Sequence, residues 1–246
     1  MRWQGFLLDV GGVLRVGSAA APGAAETVAW LREARVPFRL LSNTTTTSRG
    51  ALAEELTAMG MPIAPDEILT ATTATAAHLR SVGGTSLFLV SAAARADLGG
   101  LPEAEVGARH VVVGDTDQVF TRDAMNRAFR ALRAGADLIA MARNRWFPSP
   151  DGPVVDIGAV IAALEYAAEV RATLVGKPAR AFFLQGARAL GLPPERVAMV
   201  GDDAEADVEG AQAAGLGGIF VGAAWDRPGQ PDAIIGTIGG LLAATV

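Results

Sequence analysis

The chain has 246 residues, of which 50% are hydrophobic and 19% charged; it has no cysteine, and its formal net charge is −5. The hydrophobic fraction excludes a disordered chain, the lack of cysteine excludes a disulfide framework, and the acidic balance argues against broad nucleic-acid binding. The longest uncharged apolar run, residues 233–246, is shorter than the roughly 20 residues of a membrane helix. Asp9 interrupts the apolar N-terminal stretch, which is unlike a secretory signal. We therefore expect a soluble, cytoplasmic protein without membrane or nucleic-acid partners.

Short apolar runs alternate with Ala- and Leu-rich helical segments along the chain. From the N-terminus, the pattern predicts a strand over residues 6–10, a helix over 24–34, a strand over 38–41 and a helix from a Ser48 cap to about Met59. It predicts further strands at residues 68–69, 87–90, 111–113, 138–141, 173–175, 197–200 and 219–221, and a last strand and helix over 234–242. This alternation predicts an α/β fold with mostly parallel, Rossmann-like sheets.

Polar side chains follow the predicted strands at four places: Asp9, Ser42 with Asn43, Lys177, and Asp202 with Asp203. Open parallel sheets bind ligands at the edge where the strands end, so we expect these four clusters to converge there. Residues 73–175 supply none of them. We therefore predict a core formed by residues 1–72 and 176–246, with residues 73–175 inserted as a second α/β domain.

The converging residues form a set suited to phosphoryl transfer. Lys177 is the single lysine among 21 basic residues, and a lysine before proline can neutralise both a nucleophile and a phosphate. A strand-end carboxylate such as Asp9 can serve as a nucleophile or a metal ligand. The carboxylates of residues 202–207 can hold a hard divalent cation, and Mg²⁺ prefers a few carboxylates together with water and phosphate. Nucleophile, metal and positive charge are the parts that phosphoryl transfer needs.

The motifs that carry these residues resemble those of the haloacid dehalogenase superfamily. Residues 7–14, Leu-Leu-Asp-Val-Gly-Gly-Val-Leu, match its first motif, and residues 41–45, Leu-Ser-Asn-Thr-Thr, its second. Gly176-Lys177-Pro178 matches the third motif, and residues 200–203 with Asp207 match the fourth. The likeness spans nearly the whole chain and is to the branch with a large α/β cap, class IIA, inserted between the second and third motifs.

The resemblance implies a role for each matching residue. Asp9 is expected to be the nucleophile that forms an aspartyl-phosphate, while Lys177 balances charge and also binds phosphate. Ser42 and the Asn43 amide are expected to bind the phosphoryl group, although both residue types also commonly end strands and cap helices. Asp9, the Gly11 carbonyl and Asp202 are expected to ligate Mg²⁺. Asp203 and Asp207 are expected in its first or second coordination shell, or as acids that favour a helix N-terminus.

Gly11 departs from the superfamily pattern. Most phosphatases of the superfamily carry a second Asp at this position, which serves as general acid and base, and glycine cannot transfer a proton. Losing such a group costs about 10²–10⁴ in rate, so we expect a slow phosphatase or one limited to activated phosphoryl donors such as pyrophosphate, acyl phosphates and phosphoramidates. One alternative is a catalytically impaired protein that binds phosphate or a phosphorylated partner. The other is a 2-haloacid dehalogenase, whose chemistry needs no Mg²⁺, against which the acidic run 202–207 argues.

The inserted segment gives weaker predictions. Asn144, Arg145 and Trp146 form, with Phe147, a predicted loop that either contacts substrate or packs on the surface. Asp156 is predicted to cap a helix, and Asp115 and Asp117 to cap or turn after a strand. His78 and His110 show no metal-ligand spacing. We expect the partner to be a small phosphorylated substrate or a phosphoprotein, and the resemblance implies that caps of this class pack against each other in dimers.

Overall fold

The computed structural model of the chain describes residues 2–114, 120–149 and 151–244. Asp115 and Asp117 lie outside the described residues, so the prediction for them stays a prediction. The chain divides into two compact units. The first comprises Met1–Ser42, Arg49–Leu69 and Lys177–Val246, and the second comprises Asn43–Ser48 and Thr70–Gly176.

The strands are numbered in chain order: β1 (Gly5–Leu8), β2 (Arg15–Val16), β3 (Ala19–Ala20), β4 (Phe38–Ser42), β5 (Ile68–Thr70), β6 (Ser86–Leu89), β7 (His110–Val113), β8 (Asp137–Ala140), β9 (Trp146–Ser149), β10 (Gly152–Val155), β11 (Thr173–Leu174), β12 (Val197–Gly201), β13 (Gly217–Val221) and β14 (Ala233–Ile235). The α-helices are α1 (Ala24–Glu33), α2 (Arg49–Ala58), α3 (Ala71–Val82), α4 (Ala92–Leu98), α5 (Arg122–Arg133), α6 (Gly158–Ala168), α7 (Arg180–Leu190), α8 (Gly210–Ala213) and α9 (Gly240–Ala244). Short 3₁₀ turns cover Pro65–Glu67 and Pro194–Arg196, and a π-helical turn covers Ala204–Glu209.

The first unit is built on a six-stranded sheet in the order β14-β13-β12-β1-β4-β5. β1 pairs in parallel with β12 on one side and β4 on the other, and β12, β13 and β14 continue in parallel. The central strand has no polar residue, since a parallel strand covered on both faces must be apolar throughout. Phe6, Leu8, Leu40 and Val200 are fully buried in one core. The predicted α/β fold with parallel sheets is confirmed.

The second unit has its own parallel sheet and its own core. The sheet order is β11-β8-β7-β6, and each neighbouring pair is parallel. Leu87, Val111, Leu138 and Ile161 form part of its buried core.

Among the described residues, no helix is long and apolar enough to cross a membrane.

Two hairpins were not predicted from the sequence. β2 and β3 form a two-stranded ribbon directly after the first motif, and β9 and β10 form another in the second unit. The interpretation of Trp146 and Phe147 as loop residues is therefore wrong, because both lie in β9, where they face Val155 and Val154 across the ribbon. Trp146 is nevertheless exposed. Such short ribbons escape a search for buried apolar runs because neither strand is buried.

Candidate active site

The strand ends of the first unit bring the predicted site residues together. β1 ends at Leu8, so Asp9 is the first residue beyond the sheet, and its backbone N–H donates to the Val200 carbonyl at 2.9 Å. Ser42 is the last residue of β4, and Asp202 directly follows β12. β1 lies between β4 and β12, so these three residues share the carboxyl edge of adjacent strands. Asp9 and Ser42 are both buried.

Lys177 connects two of the carboxylates. Its ammonium group donates a hydrogen bond to Asp9 Oδ1 and lies 2.7 Å from Asp207 Oδ1, while only 4% of the residue is exposed. Burial alone lowers the pKa of a lysine, but the adjacent Asp207 and Asp9 outweigh it and raise the pKa of Lys177. Lys177 is therefore a fixed positive charge that holds Asp9 in place.

Asp207 also contacts the backbone of its own segment. Its Oδ2 accepts the backbone N–H of Asp203 at 3.2 Å, and its carboxylate occupies the space that a Cβ on Gly201 would fill. Asp207 lies in the π-helical turn after β12 and is only 1% exposed. Such turns frequently occur at functional sites. The geometry assigns Asp207 a buried position against Lys177, whereas the sequence left its place open.

Asp203 has a different position from Asp207. Its Oδ1 accepts the backbone N–H groups of Glu205 and Ala206 at 3.0 and 2.8 Å, which caps the π-helical turn. The Asp203 side chain is exposed and lies outside the group of carboxylates that could share an ion. Of the two interpretations that the sequence left open for Asp203, the structure favours the helix-capping acid.

Asp9, Asp202 and Asp207 fit a cation. One carboxylate oxygen from each lies within 4.8 Å of the others, in a site where Lys177 is the neighbouring cation. Burial and the neighbouring Asp207 raise the pKa of Asp202 to about 6. Burial and the neighbouring Asp9, only partly opposed by Lys177, raise the pKa of Asp207 to about 7, and burial also raises that of Asp9. The excess of negative charge is what an oxygen-seeking divalent cation would neutralise.

Gly11 and Gly12 have opposite environments although they are adjacent. Gly12 has a φ of +75°, and a Cβ there would overlap the Asp202 carboxylate. Gly11 lacks a left-handed φ, and a Cβ there would meet no atom within 4 Å. Gly12 therefore lets the Asp202 carboxylate approach the first motif, while the space beside Gly11 is open. Gly12 was not predicted from the sequence as a site residue, although a Gly-Gly pair shortly after Asp9 is a signal of close backbone approach.

Gly12→Ala is expected to weaken Mg²⁺ binding by at least about tenfold, because the new methyl group must displace Asp202 and the backbone must adopt a strained φ. Gly11→Ala is the matched control and should leave the Mg²⁺ affinity within about twofold, since the space is open. Isothermal titration with MgCl₂ measures both. Equal affinities for the two variants would contradict the role of Gly12.

The metal-free protein is expected to lose stability as pH rises from about 5 to 8. Asp202 and Asp207 have folded-state pKa values of about 6 and about 7, above those of an unfolded chain, so the folded protein binds more protons in this window and deprotonation opposes folding. Glu67, Glu165 and Asp232 have lowered pKa values, so they change the stability only at a pH below about 5. Thermal unfolding in EDTA at several pH values measures this.

Two variants and one ion test the origin of this pH dependence. Asp202→Asn should weaken it by removing one of the two carboxyl groups with a raised pKa, whereas Asp203→Asn should largely retain it, because Asp203 is only a minor cause of the raised pKa values of Asp202 and Asp207. Mg²⁺ at pH 8 should raise the Tm of the wild type, since a ligand that binds only the folded state stabilises it. A Tm in EDTA that rises steadily between pH 5 and 8 would contradict the expectation.

The remaining site residues predicted from the sequence lie in the second unit. Asn43 directly follows Ser42, and its Nδ2 donates to Asn144 Oδ1 at 3.4 Å. Arg145 and Trp146 are exposed, so the choice between substrate contact and surface packing stays open. Asp156 Oδ1 accepts the N–H of Ile157 at 2.6 Å just before α6, and burial raises its pKa.

One ion pair of the second unit, between an exposed arginine and a buried glutamate, was not predicted from the sequence. Arg143 pairs with the Glu165 carboxylate. Glu165 Oε1 also accepts a hydrogen bond from the Ala172 backbone N–H at 2.9 Å. The pair ties the segment after β8 to α6. Because Asn144 follows Arg143 directly, this pair also anchors the segment that reaches Asn43.

Comparison with known families agrees with the motifs. A family model described as haloacid dehalogenase-like hydrolase matches residues 6–99, and a second, HAD-hydrolase-like, matches residues 174–235. The first contains Asp9 and Ser42, and the second contains Lys177 and Asp202.

Relatives and solved structures extend over most of the chain. Haloacid dehalogenase-like hydrolase domain-containing protein 2 of Homo sapiens is 40% identical over 218 residues, which cover 89% of this chain and 83% of that protein. Phospholysine phosphohistidine inorganic pyrophosphate phosphatase of Rattus norvegicus is 32% identical over 233 residues, covering 92% and 86% of the two chains. The solved p-nitrophenyl phosphatase from Archaeoglobus fulgidus superposes with a TM-score of 0.92 at 27% identity and covers 99% of this chain and 100% of its own.

Proposed function

The chain belongs to the haloacid dehalogenase-like hydrolase family, and we propose that it is a Mg²⁺-dependent phosphatase acting through an aspartyl-phosphate on Asp9. The observation that carries the proposal is the buried Lys177 ammonium, which bridges Asp9 and Asp207 beside Asp202. Two of the similar proteins are named as phosphatases, which supports phosphoryl chemistry over dehalogenation.

In the first proposed step, an Asp9 carboxylate oxygen attacks phosphorus. A bond forms between that oxygen and phosphorus, the bond to the leaving group breaks, and its electron pair departs with the leaving group. Lys177 orients Asp9 and offsets charge on the phosphoryl oxygens, while Ser42 and the Asn43 amide bind the same group. In the second step a water oxygen bonds to phosphorus, the bond between phosphorus and the Asp9 oxygen breaks, and its electron pair returns to the Asp9 carboxylate. Both protons of the water end on the orthophosphate that leaves.

Mg²⁺ fits this site, and Asp9, the Gly11 carbonyl and Asp202 would hold it. When bound, the cation supplies positive charge that neutralises the phosphoryl oxygens. Asp207 would not hold the cation itself but would fix the position of Lys177, whose ammonium group lies 2.7 Å from the Asp207 carboxylate. The excess of carboxylates over ammonium groups supports this assignment, because Asp9 and Asp207 are buried and their negative charges are costly there without a cation.

Gly11 limits the substrates that we propose. An alkoxide leaving group needs a proton, and position 11 has no side chain to supply it. Donors whose leaving groups depart without a proton from the enzyme should react best, which favours pyrophosphate, acyl phosphates and phosphoramidates over alkyl phosphates. The same glycine supports one second candidate, an impaired relative that binds phosphate or a phosphorylated partner without turnover.

Phosphate release from acetyl phosphate, pyrophosphate and p-nitrophenyl phosphate tests the proposed function. With Mg²⁺ we expect release from all three, and EDTA should remove it. Glycerol phosphate, an alkyl ester, should be at least about 10²-fold slower than acetyl phosphate. Binding of phosphate with Mg²⁺ but no release from any donor would establish the binding protein, and halide release from a 2-haloacid in EDTA would establish a dehalogenase.

A further inference from the structure

A groove of about 430 Å³ opens at the amino end of β4, on the first unit. It lies between the end of α1, the connection to β4 and the 3₁₀ turn Pro65–Glu67. Its volume falls within the range of sites for small molecules. The lining residues are Leu31, Arg32, Arg35, Val36, Pro37, Phe38, Arg39 and Glu67.

The groove carries more positive than negative charge. Arg32 is committed to Glu67, with bonds of 3.0 and 2.6 Å, and its guanidinium stacks 5.1 Å from the centre of the Phe38 ring. Arg39 donates to its neighbour, the Phe38 carbonyl, at 2.8 Å. Within the described part of the chain, Arg35 and Arg39 form no ion pair with a carboxylate. The charge of Arg39 also helps to lower the pKa of Glu67, yet the three arginines of the groove still outnumber its one carboxylate, in a chain whose net charge is −5.

Arg35 occupies a backbone position that favours glycine. α1 ends with the Val36 N–H donating to the Leu31 carbonyl at 2.9 Å, and Arg35 adopts a φ of +54° to allow it. Helix α7 has a glycine at its left-handed end, Gly191. A left-handed conformation costs free energy in a residue with a Cβ, so the helix end by itself favours glycine over arginine. Arg35 is exposed and lines the same groove as Arg39.

We propose that this groove binds a phosphate-bearing small molecule, with the phosphate between the guanidinium groups of Arg35 and Arg39. A guanidinium group can donate two parallel hydrogen bonds to phosphate oxygens, and Val36 and Pro37 line the groove with apolar groups that an organic part would contact. The inference does not rest on the proposed function, because Asp9 and Ser42 lie at the carboxyl ends of the strands and the groove at the amino end of β4.

The test follows the arginine side-chain N–H signals by NMR in EDTA while inorganic phosphate, AMP or adenosine is added. We expect phosphate or AMP to shift the signals of Arg35 and Arg39, and adenosine to shift neither. Arg35→Gly and Arg39→Gln should each weaken binding at least about tenfold. Arg35→Gly should keep or raise the Tm, because glycine suits the left-handed backbone. Glu169→Gly, which also replaces a left-handed residue but lies outside the groove, is the matched control and should leave binding unchanged.

The probes distinguish the source of the phosphate. Shifts with inorganic phosphate of the same affinity as with AMP indicate a site for the free ion, and much tighter binding of AMP indicates an organic phosphate. No shift with either probe overturns the proposal. It is equally overturned if Arg35→Gly and Arg39→Gln bind both probes as tightly as the wild type does.

Discussion

Replacement of Asp9 by asparagine is expected to reduce Mg²⁺-dependent phosphate release from acetyl phosphate by at least about 10³-fold, because the amide cannot form the aspartyl-phosphate. The position of Asp9 requires a charged partner. Asp9 is buried and directly follows a strand without a polar residue, so its carboxylate depends on Lys177 for its charge balance. Initial rates at saturating Mg²⁺ measure the loss.

Asp203→Asn provides the matched control, since it removes one carboxylate charge of the same motif without removing the proposed nucleophile. Its rate should stay within about tenfold of the wild type, because Asp203 caps the π-helical turn and lies outside the carboxylate group. Asp9→Asn also removes a charge that burial makes costly, so its Tm should not fall below that of the wild type in EDTA. Undiminished release by Asp9→Asn would refute the covalent mechanism.

The strand ends made most of the active site predictable. In a parallel sheet, carboxyl ends share one edge, so Asp9, Ser42 and Asp202 could be placed together from the sequence alone. Lys177 could be added as the fourth site residue because it is the single lysine of the chain and follows a predicted strand. The structure pairs its ammonium group with Asp9. The α/β class followed from the alternation of apolar strands and helices, since that pattern is fixed by burial on both faces of the sheet.

Side-chain direction was not predictable in the same way. Asp203 and Asp207 are four residues apart in one acidic run, yet Asp203 is exposed and caps the π-helical turn, whereas Asp207 lies within that turn and is buried against Lys177. A π-helical turn sets this difference, and no periodicity in the sequence predicts such a turn. The β9–β10 ribbon was missed for a related reason: its side chains are exposed, so no burial pattern marks it.

Gly11→Asp is expected to raise kcat/KM for glycerol phosphate by about 10²–10⁴-fold, because the new carboxylic acid can protonate the departing alkoxide and then assist water. The backbone permits the change. Gly11 is outside the left-handed region, and a Cβ there meets no atom within 4 Å, so a side chain can begin at this position without strain in the backbone. Acetyl phosphate should gain less than about tenfold, because its leaving group departs without a proton.

Gly11→Asn separates proton transfer from packing, since the amide has nearly the same shape as the carboxyl group and cannot act as the acid. It should give no gain with glycerol phosphate. Equal gains from both variants would mean that Gly11 limits the rate through backbone freedom and not through a missing proton donor. If the wild type is inactive on every donor and Gly11→Asp is active, the scaffold around Lys177 is intact and only the acid is absent. A selective gain for the poorer leaving group would show that the residue at position 11 determines which phosphoryl donors the site hydrolyses.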